Sequence, residues 1–280
     1  MAQQWTHRGG GWLPPRQPRP GVVPLRPLAP SEIAGGVFTL LGRYGGRLYG
    51  ALLLGQLGAA LLVAAAAGAA LAGSLSRRAD SRVFVWTLLP ATALFLLFTC
   101  ALATALTAVL LRPAVLGRSV TASGLLRAAL PAVPRVLGAQ LVALLASAGP
   151  VAAVVLAGLP SAVLLPLAPV AVWVGVLFVL APLAAGFEGL GPLAGLRRSA
   201  ALVRGSWWRT LWVVAPSAAL TAAAAVALPL RLGVAGALVA LFLLPVFPQL
   251  PAGLLYVDRR IRREPLTEAL AADPEPVIPA

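Results

Sequence analysis

The chain has 280 residues, of which 60% are hydrophobic and 11% are charged, and its formal net charge is +14 at pH 7. Soluble domains carry about 25% charged residues, and roughly half of any folded surface must face water, so this composition excludes a soluble globular protein. The sequence predicts an all-α fold, a polytopic transmembrane helical bundle of about six spans with amphipathic interfacial helices on the cytoplasmic face.

All 22 basic residues are arginines, the single cysteine is Cys100, and the single histidine is His7. One cysteine allows neither an internal disulfide nor a cysteine metal site. A large positive charge also occurs in nucleic-acid-binding proteins, but here the arginines stand at the ends of apolar stretches. That placement favours anionic membrane lipids as partners and argues against nucleic acid.

Residues 1–30 are rich in proline, glycine and arginine and have no apolar period, which predicts a disordered cytoplasmic tail. Their length before the first apolar stretch argues against a secretory signal. The Pro14-Pro15 pair and the Pro18 to Pro20 segment can dock an SH3-like protein partner, although a solvated tail is the favoured interpretation. Residues 265–280 predict a second, short cytoplasmic tail.

The membrane domain is predicted over residues 31–264. Ser31 is expected to cap the first helix, with Glu32 favoured in its first turn by the helix dipole. A modest amphipathic segment over residues 33–47 then carries Arg43 and Arg47. Because about 20 apolar residues cross the hydrocarbon core, six spans are predicted, at residues 48–71, 83–111, 136–159, 161–185, 207–228 and 232–256.

A polar island, FEGLGPLAGLRRSAALVRGSWWRTLW, occupies residues 187–212 between two long apolar stretches. It predicts an interfacial helix with Arg197 and Arg204 along the edge of its apolar face, ended by Gly205-Ser206. Tryptophans after that break are typical of a membrane interface. The predicted apolar face consists of Leu193, Leu196, Ala200 and Val203.

Orientation follows from the arginines in the connections. With six spans, 18 arginines lie on one side and four on the other. The positive-inside rule then places both termini in the cytoplasm, and we expect a multi-pass protein of the plasma (cell inner) membrane. Segments beginning at Ala34, Ser123 and Ala194 are similar to one another, which indicates either three repeats of interfacial helix, span and span, or chance similarity in an Ala/Leu-rich chain.

Three motifs resemble one family. They are RPLAPSEI near the start, the E…RS…L…G…WR pattern of the polar island, and LLYVDRRIRRE at the end of the last span. The chain resembles actinobacterial integral membrane proteins of unassigned activity that are similar to the membrane-anchor domain preceding some glycerophosphodiester phosphodiesterases. The resemblance covers residues 24–266 and implies membrane residence and architecture. We expect the catalytic domain to be absent. Matching positions are Arg26, Pro27, Leu28, Glu32, Ile33, Glu188, Arg198, Ser199, Leu202, Gly205, Trp208, Arg209, Leu254, Leu255, Tyr256, Asp258, Arg260, Arg262 and Glu264.

Catalytic patterns such as HExxH, GxSxG, a P-loop or CxxC do not occur, so the sequence predicts no enzyme, no cofactor and no metal. Glu32, Glu188 and Asp258 are candidate structural or gating acids. Glu188 is expected at membrane depth, where a carboxylate needs a partner such as Arg198 or Arg209. Candidate residues for anionic headgroups or the interface are Arg43, Arg47, Arg197, Arg198, Arg204, Trp207, Trp208, Arg209, Arg259, Arg260, Arg262 and Arg263.

Two functions are compatible with these features. The favoured hypothesis is a non-enzymatic membrane scaffold or accessory protein that binds anionic lipid through its cytoplasmic arginines. The alternative is a transporter or channel subunit for a small or lipid-like solute, which a polar-lined cavity reaching Glu188 or Gln140 would favour. Either reading leaves Glu188 structural, as part of an arginine network, or functional, as a gate or headgroup site.

Overall fold

A computed structural model of the protein describes residues 6–8, 11–13, 29–76, 81–115 and 117–263. Within the N-terminal tail, Thr6–Arg8 (β1) and Gly11–Leu13 (β2) pair antiparallel, with His7 opposite Trp12. Ala29 and Pro30, at the end of the predicted tail, are also described, and Pro30 belongs to the first helix. The rest of both predicted tails lies outside the described residues, as do Arg26, Pro27, Leu28 and Glu264 of the family motifs.

Helices make up nearly all of the described membrane domain, which confirms the predicted all-α fold. Short 3₁₀ turns occur at Leu130–Ala132, Ser161–Val163 and Leu244–Val246. The α-helices are α1 (Pro30–Ser76), α2 (Ser81–Val115), α3 (Ala122–Ala129), α4 (Val133–Leu156), α5 (Leu164–Phe178), α6 (Ala181–Glu188), α7 (Pro192–Val203), α8 (Trp207–Leu243) and α9 (Gln249–Arg263).

Five stretches of the described chain are long and apolar enough to cross a membrane, which confirms a transmembrane bundle. The last of them has 57 residues and folds back on itself. Arg209 near its start donates to Asp258 near its end at 3.1 Å, so its two arms run side by side. The five stretches are Pro30–Ala65, Pro90–Val115, Ala122–Leu156, Leu164–Glu188 and Trp207–Arg263.

The reversal within α8 depends on two glycines close to the predicted turn at Arg231. Gly233 has φ 58° and ψ −134°, a conformation that glycine adopts without the steric penalty of a side chain. Three residues later, a Cβ added to Gly236 would lie 2.0 Å from the carbonyl oxygen of Leu228. Only glycine permits so close an approach of the two arms at the tip of this hairpin.

The first helix differs from its prediction. Residues 33–47 and the first span form one continuous helix, because no proline interrupts the sequence between residues 31 and 76. The helix begins at Pro30, in the first-turn position where proline is well tolerated, rather than after a Ser31 cap. Glu32 reaches back to accept a hydrogen bond from the Ala29 backbone N–H at 2.7 Å, as the acid of a capping box does.

Two predicted spans are divided. The span predicted at residues 161–185 breaks between α5 and α6 at Val179 and Leu180, just before Pro182. The span predicted at residues 232–256 breaks before α9, where Pro245 and Pro248 cannot donate backbone hydrogen bonds. The third span ends at Leu156 rather than 159, since Gly158 takes φ 64° and turns the chain.

The packed core lies at one end of the bundle. We call this the basic end, defined by Glu188, Arg198, Arg209, Asp258 and Arg260. The opposite part, towards the Gly158 turn and the Gly233 hairpin, is the distal half. The largest fully buried side chains include Tyr44, Leu48, Leu110, Leu111 and Tyr256, from α1, α2 and α9 on the basic side. Exposed apolar side chains mark the distal half, among them Leu156, Leu165, Leu230 and Val234.

Candidate functional site

The polar island folds into a compact connection at the basic end. Gly189, with φ 70°, ends α6, and Pro192 occupies the first turn of α7. Gly205, with φ 78°, then separates α7 from α8, as the sequence predicts. Glycines at these two positions let three helices meet within a few residues, which brings their charged side chains together.

The buried face of α7 is shifted from the predicted one. Leu196 and Val203 are buried, as expected, but Leu193 is 64% exposed. A close contact explains the shift. A Cβ added to Gly195 would lie 3.0 Å from the Ala181 carbonyl oxygen, so the face of α7 that carries Gly195 packs directly against α6. The buried residues of α7 are Gly195, Leu196, Ser199, Leu202 and Val203.

Ser199 joins α7 to the break between α5 and α6. Its hydroxyl donates to the Leu177 carbonyl oxygen at 2.7 Å and accepts from the Leu180 backbone N–H at 3.2 Å. The side chain is fully buried, so these two backbone groups would otherwise lack partners away from water. One serine side chain thus supplies hydrogen-bond partners for the two backbone groups that the break between α5 and α6 leaves unpaired.

Glu188 lies at the centre of one charged network. Arg198 donates to both carboxylate oxygens, with Nε 3.1 Å from each and Nη2 3.0 Å from Oε1. Arg260 Nε lies 3.5 Å from Oε1, and the Tyr256 hydroxyl donates to the same oxygen. The Arg260 guanidinium also stacks over the Phe187 ring at 5.4 Å. This network connects α6, α7 and α9 through one acid.

Asp258 forms the second network. Its side chain is fully buried, and it accepts from Arg209 Nη2 at 3.1 Å and from Arg262 Nε at 3.0 and 3.1 Å. Of the two partners predicted for Glu188, only Arg198 therefore binds it, whereas Arg209 pairs with Asp258. A buried carboxylate held by two arginines from different helices ties the two arms of the 57-residue stretch together.

Two further arginines of α9 bind backbone carbonyls instead of acids. Arg259, only 5% exposed, donates to the Ser206 carbonyl oxygen at 3.2 Å and lies 3.4 Å from the Thr210 hydroxyl. Arg263 donates to the carbonyls of Ala201 and Arg204 at the end of α7. The Arg263 contacts are favourable because the carbonyls at the C-terminus of a helix carry partial negative charge.

The predicted headgroup residues thus separate into two groups. Arg198, Arg209, Arg259, Arg260, Arg262 and Arg263 hold the protein together, and Arg43 contacts the Gly117 carbonyl at 3.4 Å. Arg47, Arg197 and Arg204 are exposed, and their guanidinium groups bond no other described residue.

The predicted interfacial tryptophans behave differently from each other. Trp207 donates from its indole nitrogen to the Trp173 carbonyl oxygen at 3.2 Å, which ties α8 to α5. Trp208 packs edge-to-face on Trp207 and is 68% exposed. Trp208 is therefore the side chain of this pair that faces the surroundings of the bundle.

Sequence reasoning assigned no role to Tyr256 or Ser199. Both stand inside the family motifs, but a motif match does not reveal which acid or which helix break they serve. One local signal was available: Tyr256 and Arg260 are four residues apart and so share a helical face. Within the described ranges, no group of three or more His, Cys, Asp or Glu side chains is placed to hold a metal ion.

Comparisons with known proteins found no matching family model, no similar curated protein and no similar solved structure. The resemblance to the membrane-anchor family therefore stays a prediction from its motifs.

Proposed function

We propose that the protein is a non-enzymatic membrane scaffold whose basic end binds anionic lipid headgroups. The observation that carries this proposal is the exposure of Arg47, Arg197 and Arg204, while both carboxylates of the basic end are already enclosed by other arginines. The exposed cations therefore have no acid of the described basic end to neutralise them.

The charge balance supports the same proposal. Two carboxylates, Glu188 and Asp258, stand among eight arginines at this end, a surplus of six positive charges. Two of these eight, Arg197 and Arg204, are exposed, as is Arg47 of α1. Each arginine near an anionic membrane surface contributes about 1 kcal/mol of attraction, so the three exposed arginines contribute about 3 kcal/mol. The eight are Arg197, Arg198, Arg204, Arg209, Arg259, Arg260, Arg262 and Arg263.

In this proposal the basic end faces the cytoplasm of the cell that makes the protein, in its plasma membrane, with both termini on that side. The support is the sequence asymmetry of 18 arginines against four. The proline-rich tail then lies on the same side as the lipid-binding arginines, where it can present itself to a soluble protein partner.

The test is lipid retention by the full-length protein in native mass spectrometry, with dioleoylphosphatidylglycerol and dioleoylphosphatidylcholine as probes. A variant with Arg47→Gln, Arg197→Gln and Arg204→Gln should lose anionic lipid at least about tenfold while both ion-pair networks stay intact. Arg231→Gln, in the distal hairpin, is the matched control and should leave retention unchanged. Equal retention by wild type and the triple variant would contradict the proposal.

A second candidate, transport of a small solute, is favoured by one observation. Gln56 is fully buried, and its amide donates to the Phe242 carbonyl oxygen at 3.3 Å, beside the break before α9. Among the described residues, its Oε1 atom and the buried Thr99 hydroxyl have no hydrogen-bond partner. Transporters place polar groups at broken helices in this way. Solute uptake into proteoliposomes that is abolished by Gln56→Leu would support transport; no uptake would favour the scaffold.

A further inference from the structure

An apolar groove opens between three helices next to the basic end. Its volume is about 260 Å³, and it lies between the first turns of α1, the first half of α8 and the segment that begins α9. Along α8 it extends from Trp212 to Leu220, which at 1.5 Å per residue is about 12 Å. The groove is therefore narrow and elongated. Its main walls are Ile33, Val37, Trp212, Pro216, Phe247 and Pro251.

The Asp258 network lies on the same helical faces as two walls of the groove, nearer the basic end. Arg209 stands three residues before Trp212, and Asp258 stands seven residues after Pro251, so both lie on the helical faces that line the groove. Arg209 and Asp258 are 3.1 Å apart, and Arg209 stands one helical turn before Trp212, so their pair lies beyond the end of the groove on the side of the basic end.

Two guanidinium groups share the one carboxylate at this position. Arg209 and Arg262 both bind Asp258, so two positive charges stand beside one negative charge, and the two arginine side chains are 26% and 33% exposed. Asp258 has no exposed surface of its own, so an approaching anion meets the two arginines and not the acid. Paired arginines are a preferred arrangement for phosphate oxygens.

A molecule that occupies this groove can enter it from the membrane. The two stretches that form it, Pro30–Ala65 and Trp207–Arg263, are both long and apolar enough to span the bilayer. Phe38 and Trp212 on its rim are each 70% exposed, which suits contact with lipid at an interface. An occupant with one apolar chain and one negative charge matches both parts of this surface.

We propose that the groove holds one acyl chain of an anionic phospholipid, with the headgroup phosphate bound by Arg209 and Arg262. This inference rests on the proposed lipid binding and adds to it a single defined site, distinct from the exposed arginines Arg47, Arg197 and Arg204. The lipid would bridge α1, α8 and α9 and fill a surface that the protein leaves open.

The experiment counts retained lipids on the full-length protein by native mass spectrometry during stepwise activation, with dioleoylphosphatidylglycerol and dioleoylphosphatidylcholine as probes. Ala34→Trp fills the groove from α1, and Ala64→Trp, an exposed position of the same helix away from the groove, is its matched control. Each buried methylene contributes about fourfold in affinity. Ala34→Trp should therefore reduce the last retained phosphatidylglycerol at least about tenfold, while Ala64→Trp retains it.

A second variant tests the headgroup end and covers the case in which Ala34→Trp does not fold. Arg262→Gln removes one of the two guanidiniums without filling the groove, and it should lower the preference of that last lipid for phosphatidylglycerol over phosphatidylcholine. Two results would contradict the proposed site. In one, both variants retain the last phosphatidylglycerol as wild type does; in the other, wild type retains phosphatidylcholine as strongly as phosphatidylglycerol.

The two proposals fail differently. If only the groove proposal is wrong, the triple variant at Arg47, Arg197 and Arg204 still loses lipid while Ala34→Trp loses none. If general headgroup binding is wrong, the triple variant retains as much anionic lipid as wild type, and the single groove lipid remains sensitive to Ala34→Trp.

Discussion

The basic end and the distal half of this bundle use the same helices in opposite ways. At the basic end, α1, α2 and α9 bury their side chains against one another and enclose two carboxylates among arginines. In the distal half, α1 and α2 carry exposed leucines such as Leu61 and Leu94, and α4 and α8 leave Leu156 at 87% and Leu230 at 78% exposed. The basic end is packed like the core of a soluble protein, whereas the distal half exposes an apolar surface of the kind that faces lipid.

This difference separates two sources of stability. Packing and ion pairs within the chain hold the basic end, and changes there should alter the free energy of unfolding. The exposed apolar residues of the distal half gain little from other helices, because lipid tails are as apolar as leucine. Variants that disturb one region and spare the other therefore test the comparison directly.

The largest effect is expected from Asp258→Asn. It leaves the guanidiniums of Arg209 and Arg262 without their shared carboxylate. Loss of one partner from a buried ion pair costs about 3–5 kcal/mol, and because both arginines are partly exposed we expect about 3 kcal/mol. Thermal unfolding in detergent measures the change. Glu32→Gln, at the start of α1, is the control and should cost about 1 kcal/mol or less; equal shifts for the two variants would contradict a special role for Asp258.

An intermediate effect is expected from Ser199→Ala. The change leaves the Leu177 carbonyl and the Leu180 N–H without their buried partner, which costs about 1–3 kcal/mol. Ser217→Ala is the control. The Ser217 hydroxyl bonds only a carbonyl of its own helix, that of Val214 at 2.8 Å, so its loss should be nearly neutral. The difference in melting temperature between the two variants is the measurement, and its absence would show that the α5–α6 break does not need Ser199.

The smallest effect is expected from truncation of the distal surface. Leu156→Ala and Leu230→Ala remove side chains that are mostly exposed, so each should change the free energy of unfolding by less than about 0.5 kcal/mol. Leu255→Ala, fully buried at the basic end, is the comparison and should cost about 2–5 kcal/mol. A distal truncation as costly as Leu255→Ala would mean that distal leucines pack against protein.

Much of the fold could be predicted from the sequence, because long apolar stretches and glycine or proline breaks act locally. The turn near Arg231 and the end of α7 at Gly205 follow from such local signals. The pairing of Arg209 with Asp258 does not, since those residues are 49 positions apart and their contact depends on how the hairpin closes. The sequence also does not predict that α1 is one continuous helix. An amphipathic segment followed by an apolar one is compatible both with one helix and with two.

The hairpin at Gly233 bears on how the chain enters the bilayer during synthesis. Arg231 stands at the tip of the hairpin, at the far end of both arms, so a hairpin whose two arms both span the bilayer requires this arginine to be carried across. Insertion measurements place the free energy of an arginine at the centre of a span at about 2.5–3.5 kcal/mol, and Arg231 would occupy that position only while it passes through the bilayer. Each leucine or valine of the arms offsets part of it, by about 0.3–0.6 kcal/mol. If the two arms of the hairpin pack together at Gly236 before insertion, they would cross the bilayer as one unit. Only one charge, that of Arg231, would then be translocated for two spans.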